Sequence, residues 1–96
     1  MKKDEILKIL AEVKEEVDRD YKAEIKGIFG SYARGDEREE SDIDVLVDFG
    51  EGAGLFDLVG LGLFLEEKLH CKVDVVPQRS LREEIRPNVL REMVPL

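Results

Sequence analysis

Residues 42–49, Asp-Ile-Asp-Val-Leu-Val-Asp-Phe, alternate with a period of two. Only an extended strand holds such a pattern on two faces, so Ile43, Val45, Val47 and Phe49 are expected on a buried side. Asp42 and Asp44 then project together from the other side, followed by Leu46 and Asp48. Two carboxylates crowded on one face repel unless something positive lies between them. A divalent cation is the natural occupant, because hard cations prefer carboxylate oxygens.

The stretch before this strand narrows the chemistry further. Glu24–Gly30 contains Ile25, Ile28 and Phe29 and is expected to be a strand, closed by the pair Gly30-Ser31. The next residues, Ser-Tyr-Ala-Arg, can begin a helix, whose first free N–H groups favour a phosphate. Gly35–Glu40 is expected as a polar surface loop. A metal site beside a phosphate cradle supplies the parts that nucleotidyl transfer needs.

The remaining pattern gives the order helix, strand, turn, strand, helix, strand, helix. Residues 4–18 carry Ile6, Ile9, Leu10, Val13 and Val17 at helical spacing among charges, which predicts an amphipathic helix. A flexible connection at 50–54 leads to a helix predicted over 55–69, weakened by Gly60 and Gly62. Lys72–Val76 is expected as a third strand, ended by Pro77. Ser80 and Glu83 have the spacing of a capping box for a last helical segment, which Pro87 is expected to divide in two. No repeat or linker interrupts residues 1–96, so one domain is expected.

Asp74 falls inside the third strand, between Val73 and Val75. Aspartate suits a strand interior poorly and is costly to bury unpaired. If this strand lies beside the second, Asp74 meets Asp42 and Asp44. Three carboxylates there could hold two magnesium ions about 3.5–4 Å apart, as in two-metal phosphoryl displacement. Asp74 could also draw the proton from an attacking hydroxyl. Positioning and charge neutralisation carry most of such a reaction, so no covalent step on the protein is needed.

Composition limits the partners. The chain has 40% charged residues and a formal net charge of −8. That disfavours direct nucleic-acid binding, which draws on lysine and arginine. A small metal-chelated nucleotide or a basic protein fits better. One cysteine, Cys71, excludes an internal disulfide and a zinc cluster. The start, Met-Lys-Lys-Asp-Glu, has no apolar run, and no stretch approaches a membrane span. A cytoplasmic location is expected, with no membrane partner.

Gly30-Ser31, ten residues, then Asp42-Ile43-Asp44 resembles the signature of the DNA polymerase β-type nucleotidyltransferase superfamily. The fuller strings Gly-Ser-Tyr-Ala-Arg-Gly and Ser-Asp-Ile-Asp-Val-Leu-Val most resemble its minimal nucleotidyltransferases. These are the antitoxin halves of prokaryotic pairs whose toxin is a HEPN-domain ribonuclease. The resemblance spans nearly the whole chain and is most specific between Phe29 and Asp48. It implies an α+β fold, a small mixed sheet of about three core strands flanked by helices. It implies Mg2+ held by Asp42, Asp44 and Asp74, with Mn2+ as a substitute, and ATP phosphates held by Gly30 and Ser31. The implied activity is that of a type VII-like antitoxin, AMP transfer from ATP to a tyrosine of the toxin. A binding module acting by occlusion and a small-molecule nucleotidyltransferase are the alternatives.

Other residues have weaker claims. Arg34 could lean toward a phosphate or pair with a nearby acid. Arg79, Arg82, Arg86 and Arg91 read as a solvated helix face, His70 and Cys71 as structural, and Tyr32 as packing. On the 55–69 helix, Leu55, Leu58, Val59 and Leu65 are expected on one apolar side, which Phe56, Leu63 and Phe64 extend around the cylinder. So much apolar surface is expected to leave some for a partner, the toxin or a homo-oligomer, with Phe56, Leu63 and Phe64 as its docking point.

Overall fold

The computed structural model describes residues 1–96 and contains helices α1 (Lys3–Tyr21), α2 (Ser31–Arg34), α3 (Leu55–Leu69) and α4 (Arg86–Glu92). Between them run strands β1 (Ala23–Phe29), β2 (Ile43–Phe49), β3 (Val73–Pro77) and β4 (Val94–Pro95). The sheet has the order β3-β2-β1-β4 and is mixed: β1 runs antiparallel to β2 and β4, while β2 and β3 are parallel. This is the expected α+β class, with one strand more than the sequence suggests.

Burial explains the layering. Ile6, Leu10, Val13 and Val17 of α1 recur every three or four residues and are all buried. They meet Ile43, Val45 and Val47 of β2, and Leu61, Leu65 and Leu69 of α3, in one core cluster. Full burial of each such side chain contributes about 1.5–3 kcal/mol. Lys22, in the left-handed region at φ 55°, ends α1. Ile25 and Ile28 would fall on opposite faces of a regular strand. A register shift between Ile25 and Gly27 inserts one residue, so Ile25 opposes Val47 and Ile28 opposes Val45. Both isoleucines are thereby buried.

The parallel connection from β2 through α3 to β3 places α3 on the face that carries Val45 and Val75. Asp44 and Asp74 alternate onto the opposite face. There Leu46 and Leu81, both buried, lie outside the main cluster, and the one-turn segment Gln78–Ser80 packs on β2. No helix is long and apolar enough to cross a membrane.

Three expectations need correcting. Leu55, Leu58, Val59 and Leu65 do not share one side: α3 buries Leu65 together with Leu61 and Leu69, while Leu55 and Val59 are exposed. Phe64 turns inward, its ring centroid 5.4 Å from that of Tyr21, so it is no docking residue. Ser80 and Glu83 cap nothing. Leu81, buried, takes an extended conformation directly after Ser80, and α4 starts only at Arg86, with Pro87 in its first turn rather than dividing a helix. Arg86 holds the intervening turn by donating from Nη2 to the Leu81 carbonyl at 2.8 Å.

Candidate active site

Asp44 and Asp74 are direct partners in the β2–β3 register, and Phe29, at the end of β1, opposes Asp44 on its other side. Gly30 therefore arrives beside Asp44. Its backbone has φ 76°, a region glycine enters at little cost, and a Cβ there would run into the Asp44 carboxylate. Ser31 opens α2, whose first turn is tied by Arg34 N–H donating to the Gly30 carbonyl at 3.1 Å. Asp42 stands two residues before Asp44, just outside β2 and exposed, as is Asp74; Asp44, Gly30 and Ser31 are half-buried. All five residues marked by the sequence thus gather at one end of the sheet.

The electrostatics centre on Asp44. Burial first, then the charges of Asp74 and Asp42, push its carboxyl up to about 6, and Arg34 pulls the other way. As the side chains lie, no three carboxylate, imidazole or thiol groups close around one point that would hold a metal ion. The fit to one rests instead on donor chemistry and on Gly30. Asp44 and Asp74 on one face, with Asp42 two residues before Asp44, offer the carboxylate oxygens that a hard divalent cation prefers, and the absent Cβ leaves Asp44 room beside the turn.

Neighbouring residues hold this end together. Tyr32 is buried, its hydroxyl 3.8 Å from Cys71 Sγ, which in turn lies 3.7 Å from the Ser41 carbonyl. Burial and the Cys71 contact push the Tyr32 hydroxyl above its usual range. Cys71 thus links α2 to the segment that delivers Asp42. Arg34 pairs with Asp36 at 3.2 Å and with Glu92 of α4 at 3.7 Å. The sequence left Arg34 evenly balanced between phosphate and acid; here acids hold it, while its charge still acts on Asp44.

The remaining candidates lie elsewhere. Asp48 sits at the far end of β2, opposite Glu24. Beside it, Gln78, Arg79 and Arg86 line a cavity of about 260 Å³. Arg79, Arg82 and Arg91 are exposed, but only Arg86 and Arg91 lie on α4, so the four do not form the expected helix face; Arg86 is half-buried and its Nε has no partner. His70 caps α3 in the left-handed region, donating its N–H to Glu66 at 2.8 Å.

The sequence and the fold have known counterparts. Residues 6–96 match the nucleotidyltransferase domain family. The protein adenylyltransferase MntA of Thermococcus cleftensis is 42% identical over 91 residues, covering 95% of this chain and 92% of that protein. A solved structure described as a minimal nucleotidyltransferase superposes with a TM-score of 0.83 and 42% identity, covering 100% of this chain and 97% of the other. The crystal structure of a toxin–antitoxin with AMP-PNP gives a TM-score of 0.70 and 26% identity, over 99% of this chain and 72% of its counterpart.

Proposed function

The chain belongs to the nucleotidyltransferase domain family, and on that premise we propose that it is a magnesium-dependent protein adenylyltransferase that acts as an antitoxin. Its substrates are ATP and a tyrosine hydroxyl of a HEPN-domain ribonuclease toxin. The observation that carries this reading is the position of Asp44, half-buried, paired in register with Asp74, within reach of the Asp42 charge and bordered by Gly30. Support for the donor and the partner comes from relatives described as protein adenylyltransferase and as a toxin–antitoxin with AMP-PNP.

Asp42, Asp44 and Asp74 would hold the metal, and Gly30 with Ser31 would receive the β- and γ-phosphates. Bound there, Mg2+ would neutralise charge developing on the α-phosphate and the leaving pyrophosphate. Asp74, exposed at the open edge of the site, takes the proton of the incoming tyrosine hydroxyl. The tyrosine oxygen forms a bond to the α-phosphorus as the bond to the β-phosphate oxygen breaks. One adenylyl group stays on the toxin and one pyrophosphate departs.

Position-specific labelling tests the reading. With the toxin and Mg2+, label on the α-phosphate of ATP should appear on the toxin and label on the γ-phosphate should not. Transfer of γ-label would mean phosphorylation. Inhibition of the toxin with neither label attached would favour occlusion over catalysis.

A further inference from the structure

The four most exposed large apolar side chains of the chain all lie on α3: Phe56 at 94%, Leu55 at 72%, Leu63 at 63% and Val59 at 53%. At about 100° per residue they fall within an arc of roughly 100° on the side of the helix turned away from the sheet. Monomeric proteins seldom leave such a stripe to water. The stripe occupies the N-terminal half of α3, which follows the C-terminal end of β2, whereas Asp44 stands at the start of that strand. Asp44 is therefore about 16 Å along the strand from the end where α3 begins, and on the opposite face of the sheet. A toxin seated on the stripe would have to wrap around the domain to bring a tyrosine to the carboxylates.

The spacing of the stripe points to a different occupant. Leu55, Val59 and Leu63 are four residues apart, so the row reads the same in both directions about Val59. Two such rows meeting antiparallel place Leu55 of each copy against Leu63 of the other, with the two valines on the axis. Rows at i and i+4 are the ridges that interdigitate in the commonest helix packing. We propose that α3 is the interface of a twofold-symmetric dimer of this chain, with the axis through Val59.

Area is consistent with this pairing. Large apolar side chains expose roughly 150–200 Å² each when free, so the four fractions amount to about 500 Å² per copy. The total of about 1,000 Å² reaches the lower bound for a specific interface. Both carboxylate sites stay open, because they lie on the far faces of the pair. The dimer does not depend on the reaction proposed above. Each copy carries a net charge of −8, so added salt should tighten the pairing by screening repulsion.

Sedimentation of the whole chain tests the proposal, using V59D and V59K. The wild type should be a dimer whose dissociation constant falls as salt rises. Each variant should be a folded monomer, weakened by more than about tenfold, because two like charges meet on the axis. An equal mixture of V59D and V59K should restore a dimer, which only a self-pairing axis at Val59 predicts. Circular dichroism and unchanged toxin labelling check that the half-exposed substitution leaves the fold intact. A wild type that stays monomeric, variants that still dimerise, or a mixture that stays monomeric would each overturn it. If the wild type is monomeric and V59D loses the toxin, the face belongs to the toxin instead.

Discussion

Asp44 carries a charge that its surroundings disfavour, and the sign of its effect on stability follows. Its carboxyl titrates near 6 in the fold against a usual value of 3.8, so between these pH values the folded chain holds a proton that the unfolded chain has lost. The resulting stabilisation is fully present below the lower value and is lost as pH rises through about 6. The melting temperature of the metal-free protein should therefore fall between about pH 4 and pH 6, and fall less in Asp44→Asn. Mg2+ or Mn2+ should raise it at pH 7, where Asp44 is ionised, and raise it little at pH 5. An equal metal response at both pH values would remove Asp44 from the ligand set. Asp42→Asn and Asp44→Asn should abolish adenylyl transfer while melting no lower than the wild type in the absence of metal. Asp74→Asn should lower it by about a hundredfold or more if that side chain takes the proton. Gly30→Val should weaken ATP binding in calorimetry far more than Ser31→Ala. Its Cβ meets Asp44, and its φ of 76° strains any residue with a side chain.

Single elements differ in how openly the sequence declares them. β2 could be read almost completely, because a two-residue period fixes which side chains share a face. The parallel register then brings Asp74 beside Asp44, so one period and one pairing account for both. The bulge in β1 and the strand β4 were hidden for physical reasons. Both depend on contacts with distant chain, and two residues are too few to show a period. Gly27 is where they meet: a Cβ there would strike the Val94 carbonyl and crowd Pro95. Gly27→Ala should displace β4, cost about 1–3 kcal/mol in denaturant unfolding, and speed hydrogen exchange at Leu96, whose N–H donates to Lys26. Unchanged exchange at Leu96 would mean that β4 accommodates the methyl group. The C-terminal segment misled because Ser80 and Glu83 have the right spacing in the wrong backbone, where burial of Leu81 takes precedence over helix formation. On α3, composition showed how apolar the helix is without showing which arc the sheet would cover.

At the scale of the whole molecule, the chain divides its work between two faces. One face of the sheet packs on α1 and α3 and builds the core; the other carries Asp44 and Asp74, with Gly30 and Asp42 at the same end. Asp42 and Asp74 are exposed, so the site stands open to solvent. In the reaction proposed above the acceptor hydroxyl comes from another protein, and the specificity of a site this open would come from that partner's surface. The function proposed above is adenylylation of that partner at this site. Intact-mass spectrometry of the toxin, after incubation with this protein and Mg-ATP, tests it most directly. The toxin should gain the mass of one or more adenylyl groups on a tyrosine, and should gain none with Asp44→Asn. A toxin whose mass stays unchanged while the complex forms and its ribonuclease activity is blocked would contradict the account.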